Sequence, residues 1–417
     1  MRIASSLWGV LTGTVLLGYA AGALGQDWPQ WRGPNRDNKV TGFKAPATWP
    51  KELTRKWQVT VGTGESSPLL VGDKIYVFGR QGGDEVTLCL NAADGKEIWK
   101  DAYNAAPVVG AAANVGGGFK GTRSTPAVAE GKIVTLGVAG VVSCLDAASG
   151  KVIWRKDTKE HPQYYTSSSP MIVDGKCIVY VAALTAFDLA TGDAKWEWKG
   201  GGTPYGSPIL MTVDGTKQIV TPTLGALAGV SLDGGKELWQ VKVGSGAAAD
   251  YQSNFSTPIV NGQKVIFSAA PKGKGGGGAG GTFALQIEKK GDGFAAKEIW
   301  RKDLAAHHYH TPVLRDGLLF GTNRALSLFC MSAQTGDTLW TDDAKRGQCG
   351  SILDAGSVLL SLSSDKELIV MEPNSKEFKE IAKYKVADAE TWAVPIVAGN
   401  RIFVRDRGGS LTLWTID

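Results

Sequence analysis

Two repeated sequence patterns predict an all-β protein that folds as an eight-bladed β-propeller of four-stranded antiparallel blades. The first pattern is a turn followed by a short strand that ends in Trp. The second is a pair of apolar runs joined by a Gly-containing turn. Both recur about every 40 residues, which is a typical length for a propeller blade. The chain of 417 residues has 55 glycines and 14 tryptophans, and both counts suit a fold in which each repeat needs tight turns and a large aromatic side chain.

The Trp-ending pattern predicts the outermost strand of each blade. Clear copies are TGDAKW at 191–196 and TGDTLW at 335–340, and Tyr384 in IAKYKV takes the aromatic position of a further copy. The turn residues that precede each strand, mostly Gly with Asp, Ser or Thr, are those that tight turns require. The aromatic residues of the pattern are Trp57, Trp99, Trp154, Trp196, Trp239, Trp300 and Trp340.

The second pattern predicts the two inner strands of each blade. It occurs eight times, from SSPLLVGDKIYVF at 66–78 to VPIVAGNRIFV at 394–404. Gly, Asn and Asp accept the dihedral angles of tight hairpin turns. Pro at the first strand position costs little because it need not donate a ladder hydrogen bond there. Each repeat is therefore a hairpin followed by two further strands.

The two ends of the chain predict how the ring closes. Residues 393–417 supply three strands of a blade and lack the fourth, whereas LTRKWQVTV at 53–61 is a fourth strand with none before it. Pairing this N-terminal strand with the C-terminal blade closes the ring and removes free strand edges. We predict a signal peptide at 1–25, an N-terminal extended segment at 26–52 and a single propeller at 53–417.

The first 25 residues have the pattern of a secretory signal peptide. Arg2 precedes an apolar stretch from about Leu7 to Leu17, and small residues follow as far as Gly25. The stretch is too short and too interrupted to span a bilayer, and no cysteine lies near the junction to carry a lipid anchor. We expect a periplasmic or secreted protein, monomeric and without a transmembrane segment after cleavage.

Composition and motifs exclude several function classes. The formal charge of +5 is small for this length and no long basic run occurs, so nothing indicates nucleic-acid binding. The sequence contains no HExxH, GxSxG, phosphate-loop or EF-hand motif. Its cysteines lack metal-site spacing, and three of them recur at one strand position, which is typical of small buried residues. The five cysteines are Cys89, Cys144, Cys177, Cys330 and Cys349.

The Trp-ending copies resemble the tryptophan-docking motif of pyrroloquinoline-quinone (PQQ) repeat propellers. AFDLATGDAKW at 186–196 is the best copy, and DWPQWRGPNRDN at 27–38 is similar to the opening of secreted bacterial PQQ-like proteins. This family includes quinoprotein alcohol dehydrogenases and BamB of the outer-membrane barrel-assembly machine. The resemblance implies that the motif tryptophans dock between neighbouring blades and are structural.

The resemblance does not supply catalytic residues. Quinoprotein dehydrogenases have adjacent cysteines that form a disulfide, a calcium site and an Asp base, whereas this chain has no Cys-Cys pair and no calcium ligands recognisable by motif. PQQ and calcium are therefore possible cofactors without motif support, and no catalytic residue is assigned. The favoured function is an exported, non-enzymatic binding or scaffolding propeller similar to BamB. The alternatives are a periplasmic PQQ- and calcium-dependent quinoprotein oxidoreductase and a polysaccharide-binding propeller.

The connections that precede the inner strands predict a shared binding face. In a propeller they open on one face around the central channel, where aromatic and charged side chains from different blades can meet. We expect a ligand, or a protein or glycan partner, to bind at this face. The candidate residues are Glu65, Arg123, Tyr164, Tyr165, Tyr205, Tyr251, Asn254, His307, His308, His310, Arg346, Glu390 and Trp392.

All four histidines also lie in these connections, at His161, His307, His308 and His310. His308 and His310 are two residues apart and point the same way on an extended strand, so both could reach one metal ion. Zinc needs further ligands, and these would have to come from other blades, for example from Glu65, His161 or Cys349. We predict no metal site, and name His308 and His310 as the candidate ligands if one exists.

Overall fold

Antiparallel β-sheet makes up the regular structure of the chain. The computed structural model describes residues 27–110, 121–243, 256–269, 281–304, 306–307, 309–348 and 350–417. In these residues 32 strands form eight separate four-stranded antiparallel sheets, which confirms the predicted eight-bladed propeller. The predicted signal peptide at 1–25 lies outside the described residues. No helix formed by the described residues has the length and apolar character needed to cross a membrane.

The first strand of the chain belongs to the last blade. Blades 1 to 4 come next in the chain, and in each of them every strand pairs with the one that follows it in the sequence. The first strand is β1 (Thr54–Thr60). Blade 1 contains β2 (Leu69–Val71), β3 (Lys74–Gln81), β4 (Asp84–Asn91) and β5 (Glu97–Asn104). Blade 2 contains β6 (Ala127–Ala129), β7 (Lys132–Leu136), β8 (Val141–Asp146) and β9 (Val152–Asp157). Blade 3 contains β10 (Met171–Val173), β11 (Lys176–Tyr180), β12 (Leu184–Asp188) and β13 (Ala194–Trp198). Blade 4 contains β14 (Ile209–Val213), β15 (Thr216–Pro222), β16 (Ala226–Ser231) and β17 (Glu237–Lys242).

The remaining blades repeat the same order up to the last one, which takes its fourth strand from the start of the chain. Blade 5 contains β18 (Ile259–Asn261), β19 (Lys264–Ala269), β20 (Gly281–Lys290) and β21 (Gly293–Lys302). Blade 6 contains β22 (Val313–Arg315), β23 (Leu318–Thr322), β24 (Leu328–Ser332) and β25 (Thr338–Thr341). Blade 7 contains β26 (Gly350–Asp354), β27 (Leu359–Ser363), β28 (Glu367–Met371) and β29 (Glu380–Lys385). Blade 8 contains β30 (Ile396–Ala398), β31 (Arg401–Arg405), β32 (Ser410–Thr415) and β1.

The ring closes as the two chain ends predict. β1 pairs antiparallel with β32, with Thr54 opposite Thr415 and Thr60 opposite Ser410. The strand order of blade 8 is therefore β1, β32, β31, β30, with the N-terminal strand outermost. Because the last sheet combines the first strand with the last three, each of the eight described sheets has four strands.

The tryptophans of the outer strands contact the next blade along the chain. Trp99 Nε1 donates to the carbonyl oxygen of Ala147 at 3.2 Å, and its ring covers Gly150, where an added Cβ would come within 2.5 Å of the ring. Gly150 has a φ of 74°, so the same residue makes the turn and leaves room for the ring. Equivalent Nε1 bonds join Trp154, Trp196, Trp300 and Trp340 to carbonyl oxygens of Leu189, Leu232, Ala333 and Asn374.

Two outer-strand tryptophans differ from this arrangement. Trp239 Nε1 donates to Gln218 Oε1 of its own blade at 2.8 Å. In the neighbouring blade 5 the two outer strands form a longer hairpin, in which Lys290 pairs with Gly293. Its turn residue Gly291 has no atom within 4 Å of the position of an added Cβ, so the Trp239 ring does not cover it. Trp57 covers the turn residue Gly95 of blade 1, but its Nε1 has no hydrogen-bond partner among the described residues.

The apolar core lies between neighbouring blades. One cluster joins Tyr76 and Trp99 of blade 1 to Ile133 and Leu145 of blade 2, and similar clusters join other neighbouring pairs. The four described cysteines are free and buried in these sheets, at Cys89, Cys144, Cys177 and Cys330. Cys349 lies outside the described residues.

Hydroxyl groups at the start of the inner strands link the blades around the channel. The backbone N–H of Ser67 donates to Thr125 Oγ1 at 2.9 Å, and that of Thr125 donates to Ser169 Oγ at 3.0 Å. The series continues around the ring. The residues that accept these bonds, called here the hydroxyl belt, are Ser67, Thr125, Ser169, Ser207, Thr257 and Thr311. The recurring Ser/Thr-Pro of the hairpin pattern thus supplies a link between blades.

Residues 27–40, called here the channel segment, run along the inner strands and occupy the centre of the ring. Arg32 donates to the carbonyl oxygens of Thr311 and Pro312 at 2.9 and 3.0 Å. Arg36 donates to the carbonyl oxygen of Pro208 at 2.7 Å and also to that of Pro170. Further hydrogen bonds reach four more blades, so the segment contacts seven of the eight. The residues contacted in these blades are Leu70, Val128, Thr257 and Ile352.

Candidate functional site

A cavity of about 350 Å³ lies at the centre of the ring, against the channel segment. Its walls come from the connections and first residues of the inner strands, and every blade contributes at least one residue. Five of the thirteen candidate residues line it. They are Glu65, Arg123, Tyr164, Tyr205 and Trp392. Tyr309, from the same connection as three of the histidines, lines it as well.

Charged side chains on one wall are paired with each other. Glu65 Oε1 lies 3.0 Å from Arg407 Nη2, and its other oxygen lies 3.9 Å from Arg123 Nε. Arg407 also binds Glu390 at 2.8 Å and lies over the Trp392 ring, 4.4 Å from its centroid. Burial raises the pKa of Glu65 to about 7, although both neighbouring guanidinium groups act to lower it. Arg407 follows strand β31, outside the connections that the sequence singled out.

Aromatic rings form much of the remaining wall. The Tyr164 and Tyr205 rings lie 6.2 Å apart, and the Tyr205 hydroxyl accepts the backbone N–H of Tyr164 at 3.1 Å. The Tyr309 and Trp392 rings lie 5.4 Å apart. Tyr309 is exposed, and Trp392 and Tyr164 are only partly buried, so parts of all three side chains remain accessible.

The channel segment supplies cavity-lining residues that the sequence patterns did not predict. Trp31, Arg32 and Asn38 line the cavity, and Trp31 Nε1 donates to Thr257 Oγ1 at 3.0 Å. Burial lowers the pKa of Arg32 to about 10, so its guanidinium stays protonated at neutral pH. The available signal was the cluster of Trp, Arg and Asn in DWPQWRGPNRDN, outside every predicted blade.

Two buried polar atoms in the cavity wall lack partners. Asn38 Oδ1 and Ser351 Oγ have no hydrogen-bond partner among the described residues. Asn38 is held by its other amide atom, since Nδ2 donates to the carbonyl oxygen of Ile352 at 3.0 Å. Buried polar atoms are usually paired, so these two are exceptions, and both belong to residues that line the cavity.

The other described candidates point away from the cavity or act through neighbours. Tyr165 is buried against Val108 and Val138 and stacks on the ring of His161 with centroids 4.2 Å apart. Arg346 forms an ion pair with Asp342. Glu390 contributes through Arg407, and His307 packs against the Tyr309 ring. Tyr251, Asn254 and His308 lie outside the described residues, and the binding role of all thirteen candidates stays a prediction.

His310 occupies a closed position beside the cavity. Its Nδ1 donates to the carbonyl oxygen of Gly350 at 2.8 Å, and the side chain is buried. Burial lowers the pKa of His310 to about 4, so the ring is neutral at physiological pH. Among the described residues no group of three or more His, Cys, Asp or Glu side chains could hold a metal ion. Two of the other residues named as possible ligands, His308 and Cys349, lie outside those residues.

The described cavity residues do not fit a calcium-bound quinone. Glu65 is the one carboxylate among the described lining residues, and it lies between two guanidinium groups. A divalent cation placed at this carboxylate would be repelled by both. The four described cysteines are buried in strands of different blades rather than adjacent at the cavity.

One family model matches more than half of the chain. The sequence model of the family described as outer membrane protein assembly factor BamB matches residues 83–342 and 290–378. BamB of Burkholderia pseudomallei is 22% identical over 372 residues, which cover 86% of this chain and 87% of that protein. Quinohemoprotein alcohol dehydrogenase ADH-IIG of Pseudomonas putida is 28% identical over 190 residues, but these cover 42% of this chain and 24% of the enzyme.

Solved structures show the same fold. The structure of BamB from Moraxella catarrhalis superposes with a TM-score of 0.65 at 15% identity, covering 87% of this chain and 99% of that one. Quinohemoprotein alcohol dehydrogenase from Comamonas testosteroni superposes with a TM-score of 0.66 at 15% identity, covering 94% of this chain and 80% of the enzyme. Similarity at this identity establishes the architecture, which binding proteins and enzymes share.

Proposed function

Because this chain belongs to the family described as outer membrane protein assembly factor BamB, we propose that it is a non-enzymatic binding or scaffolding propeller that engages a partner through its cavity face. The cavity face consists of the cavity and the connections around it. One observation carries the proposal: residues from all eight blades converge on one recess, and charged side chains on its wall pair with one another. A rigid ring that presents such a recess is suited to recognition.

We further propose that the protein acts as a monomer in the periplasm after removal of residues 1–25. The support is the signal-peptide pattern of the N-terminus and the names of the relatives, which refer to the assembly of outer membrane proteins. Cell fractionation and mass spectrometry of the mature N-terminus test this. A cytoplasmic protein that retains Met1 or Arg2 would contradict it.

The partner is tested by affinity capture from the native cell envelope. The variant Tyr309→Ala with Trp392→Ala removes two rings that contact each other in the cavity wall. The matched control, Ile98→Ala with Ile299→Ala, removes two exposed side chains from outer strands. We expect the cavity variant to lose a partner that the wild type and the control retain. Identical partners for all three proteins would overturn the role of the cavity face.

The quinoprotein alternative receives no support from the described residues, and no reaction step is derived for it. Incubation of the purified protein with PQQ and calcium gives a direct test. We expect neither saturable binding at micromolar quinone nor dye-linked oxidation of alcohols or sugars. Saturable binding with turnover would overturn the non-enzymatic assignment.

A further inference from the structure

We propose that the cavity binds a saccharide unit. In this arrangement the sugar hydroxyl groups face the hydroxyl belt and the channel segment, and the C–H faces of the sugar ring lie against the aromatic side chains. The inference rests on the proposed function, because it assigns a ligand class to the same cavity face. Four features of the cavity carry it: its rings, its unpaired polar atoms, its paired charged groups and its size.

The rings supply apolar surface beside polar groups. Tyr309 and Trp392 form one contacting pair and Tyr164 and Tyr205 another, on connections of different blades. Such side chains present an apolar face and a polar edge. A pyranose ring has the same division, with C–H groups on its faces and hydroxyl groups around its edge. The two surfaces are therefore complementary.

The unpaired atoms specify the polar groups of the ligand. Asn38 Oδ1 can only accept a hydrogen bond, so its partner must be a donor. A ligand hydroxyl is such a donor, whereas an ionised carboxylate is not. Ser351 Oγ can donate or accept, and it lacks a partner among the described residues. Both atoms belong to buried residues of the cavity wall, where an unmet hydrogen bond is costly.

The hydroxyl belt adds donors at the same wall. Ser169 Oγ accepts the backbone N–H of Thr125, and Ser207 Oγ accepts that of Ser169. Each hydroxyl therefore keeps its own proton to donate, and both residues line the cavity. The same wall therefore contains both donors and acceptors. Sugar hydroxyls match this pattern because each of them donates and accepts.

Charge and volume agree with a small neutral ligand. Glu65 pairs with Arg407 and Arg123, and Arg32 places three of its N–H groups on carbonyl oxygens, so these charged groups already have partners within the protein. The cavity of about 350 Å³ lies near the lower end of the range for small-molecule sites, which is roughly 300–1,000 Å³. One or two sugar rings suit a site of this size.

The test is calorimetric titration of the purified protein with neutral sugars. The panel contains glucose, galactose, N-acetylglucosamine, cellobiose and chitobiose, with galacturonate as the charged comparison. We expect saturable binding of at least one neutral sugar and weaker binding of galacturonate. Tighter binding of a disaccharide than of its monosaccharide indicates the end of a glycan, and equal binding indicates a free sugar. No heat from any neutral sugar, or preference for galacturonate, would overturn the proposal.

Ser351→Ala gives the sharpest variant, because it removes a hydroxyl that bonds to no described residue. We expect about tenfold weaker sugar binding, the effect of one lost hydrogen bond, with an unchanged melting temperature. The matched control is Ser168→Ala. Ser168 Oγ is also buried without a described partner, but it does not line the cavity. Equal affinity for wild type and Ser351→Ala, or an equal loss in both variants, would contradict the assignment.

The same protein preparations separate this inference from the proposed function. If the envelope partner depends on Tyr309 and Trp392 but no sugar binds, only the saccharide assignment fails. If sugar binds but no partner depends on those rings, the protein is a saccharide-binding module and the scaffolding role fails. If no partner depends on those rings and no sugar binds, the binding role of the cavity face is wrong.

Discussion

Single glycines decide how closely neighbouring blades can approach. Gly150 combines a φ of 74° with the Trp99 ring, which lies within 2.5 Å of the position of an added Cβ. Gly175 has a similar φ of 67° but nothing within 4 Å of that position. The two residues therefore separate the cost of the backbone conformation from the cost of the blade contact.

We predict that Gly150→Ala destabilises the protein more than Gly175→Ala does. Each substitution costs about 1 kcal/mol of stability, because it places an L-residue in the left-handed region. Gly150→Ala also displaces the Trp99 ring. We expect about 2–4 kcal/mol in total for Gly150→Ala. Urea denaturation followed by circular dichroism measures the difference. Equal losses would show that the Trp99 contact contributes little.

The Glu65 carboxyl makes stability depend on pH. Its folded-state pKa of about 7 is above the value near 4.3 of an unfolded chain. Between these two pH values the folded protein keeps the Glu65 proton, whereas the unfolded chain has lost it. The stabilisation is complete below about pH 4 and is lost as the pH rises to 7.

We predict that Glu65→Gln removes this dependence. As the pH rises from 4.5 to 7.5, the free energy of unfolding of the variant should increase by about 2–3 kcal/mol relative to that of the wild type. Subtracting the two curves cancels the groups that titrate equally in both proteins. Denaturant unfolding at several pH values measures the free energy of unfolding of both proteins. If the two proteins show the same pH dependence, Glu65 is not the group responsible.

At the scale of elements, the start of each inner strand links two blades. Ser169 shows the arrangement, since its Oγ accepts from Thr125 and its backbone N–H donates to Ser207. These bonds run around the ring rather than within a sheet. The Ser/Thr-Pro start of the hairpin pattern therefore holds adjacent blades in register.

We predict that Ser169→Ala costs about 1–3 kcal/mol, because the buried N–H of Thr125 loses its acceptor. Ser168→Ala should be close to neutral, since Ser168 Oγ has no described partner. Thermal unfolding of the two variants gives the comparison. A neutral Ser169→Ala would mean that the hydroxyl belt does not stabilise the ring.

At the scale of the whole molecule, two N-terminal elements hold the ring together. The channel segment touches inner strands of seven blades through residues such as Arg32 and Arg36. Strand β1 completes blade 8 by pairing with β32. The segment acts from the centre of the ring, and β1 acts at its outer edge.

We predict that removing these two elements has different consequences. A chain that begins at Thr41 lacks the channel segment but keeps β1, so it should fold as a β-protein with a lower melting temperature and no sugar binding. A chain that begins at Val61 also leaves blade 8 incomplete, and its exposed strand edge should cause aggregation. Circular dichroism and size-exclusion chromatography distinguish the outcomes. Identical behaviour of both chains would show that ring closure by β1 is not required.

The cavity could be predicted in part from the sequence. Glu65, Arg123 and Tyr205 precede inner strands, and that position alone places them near the channel. Arg407 was not identified because it follows a second strand and reaches Glu65 only through the closure of the ring. Tyr165 follows Tyr164 in the sequence, yet it turns into an apolar cluster while Tyr164 faces the cavity.

The sequence by itself determined the all-β class, the number of blades and the closure of the ring, because these depend on local turn chemistry and strand periodicity that recur eight times. Only the tertiary structure decided that residues 27–40 occupy the channel, and that Asn38 and Ser351, which carry unpaired atoms, line one cavity. These features arise from contacts between residues hundreds of positions apart. They depend on where the closed ring places each side chain, and no local pattern encodes that position.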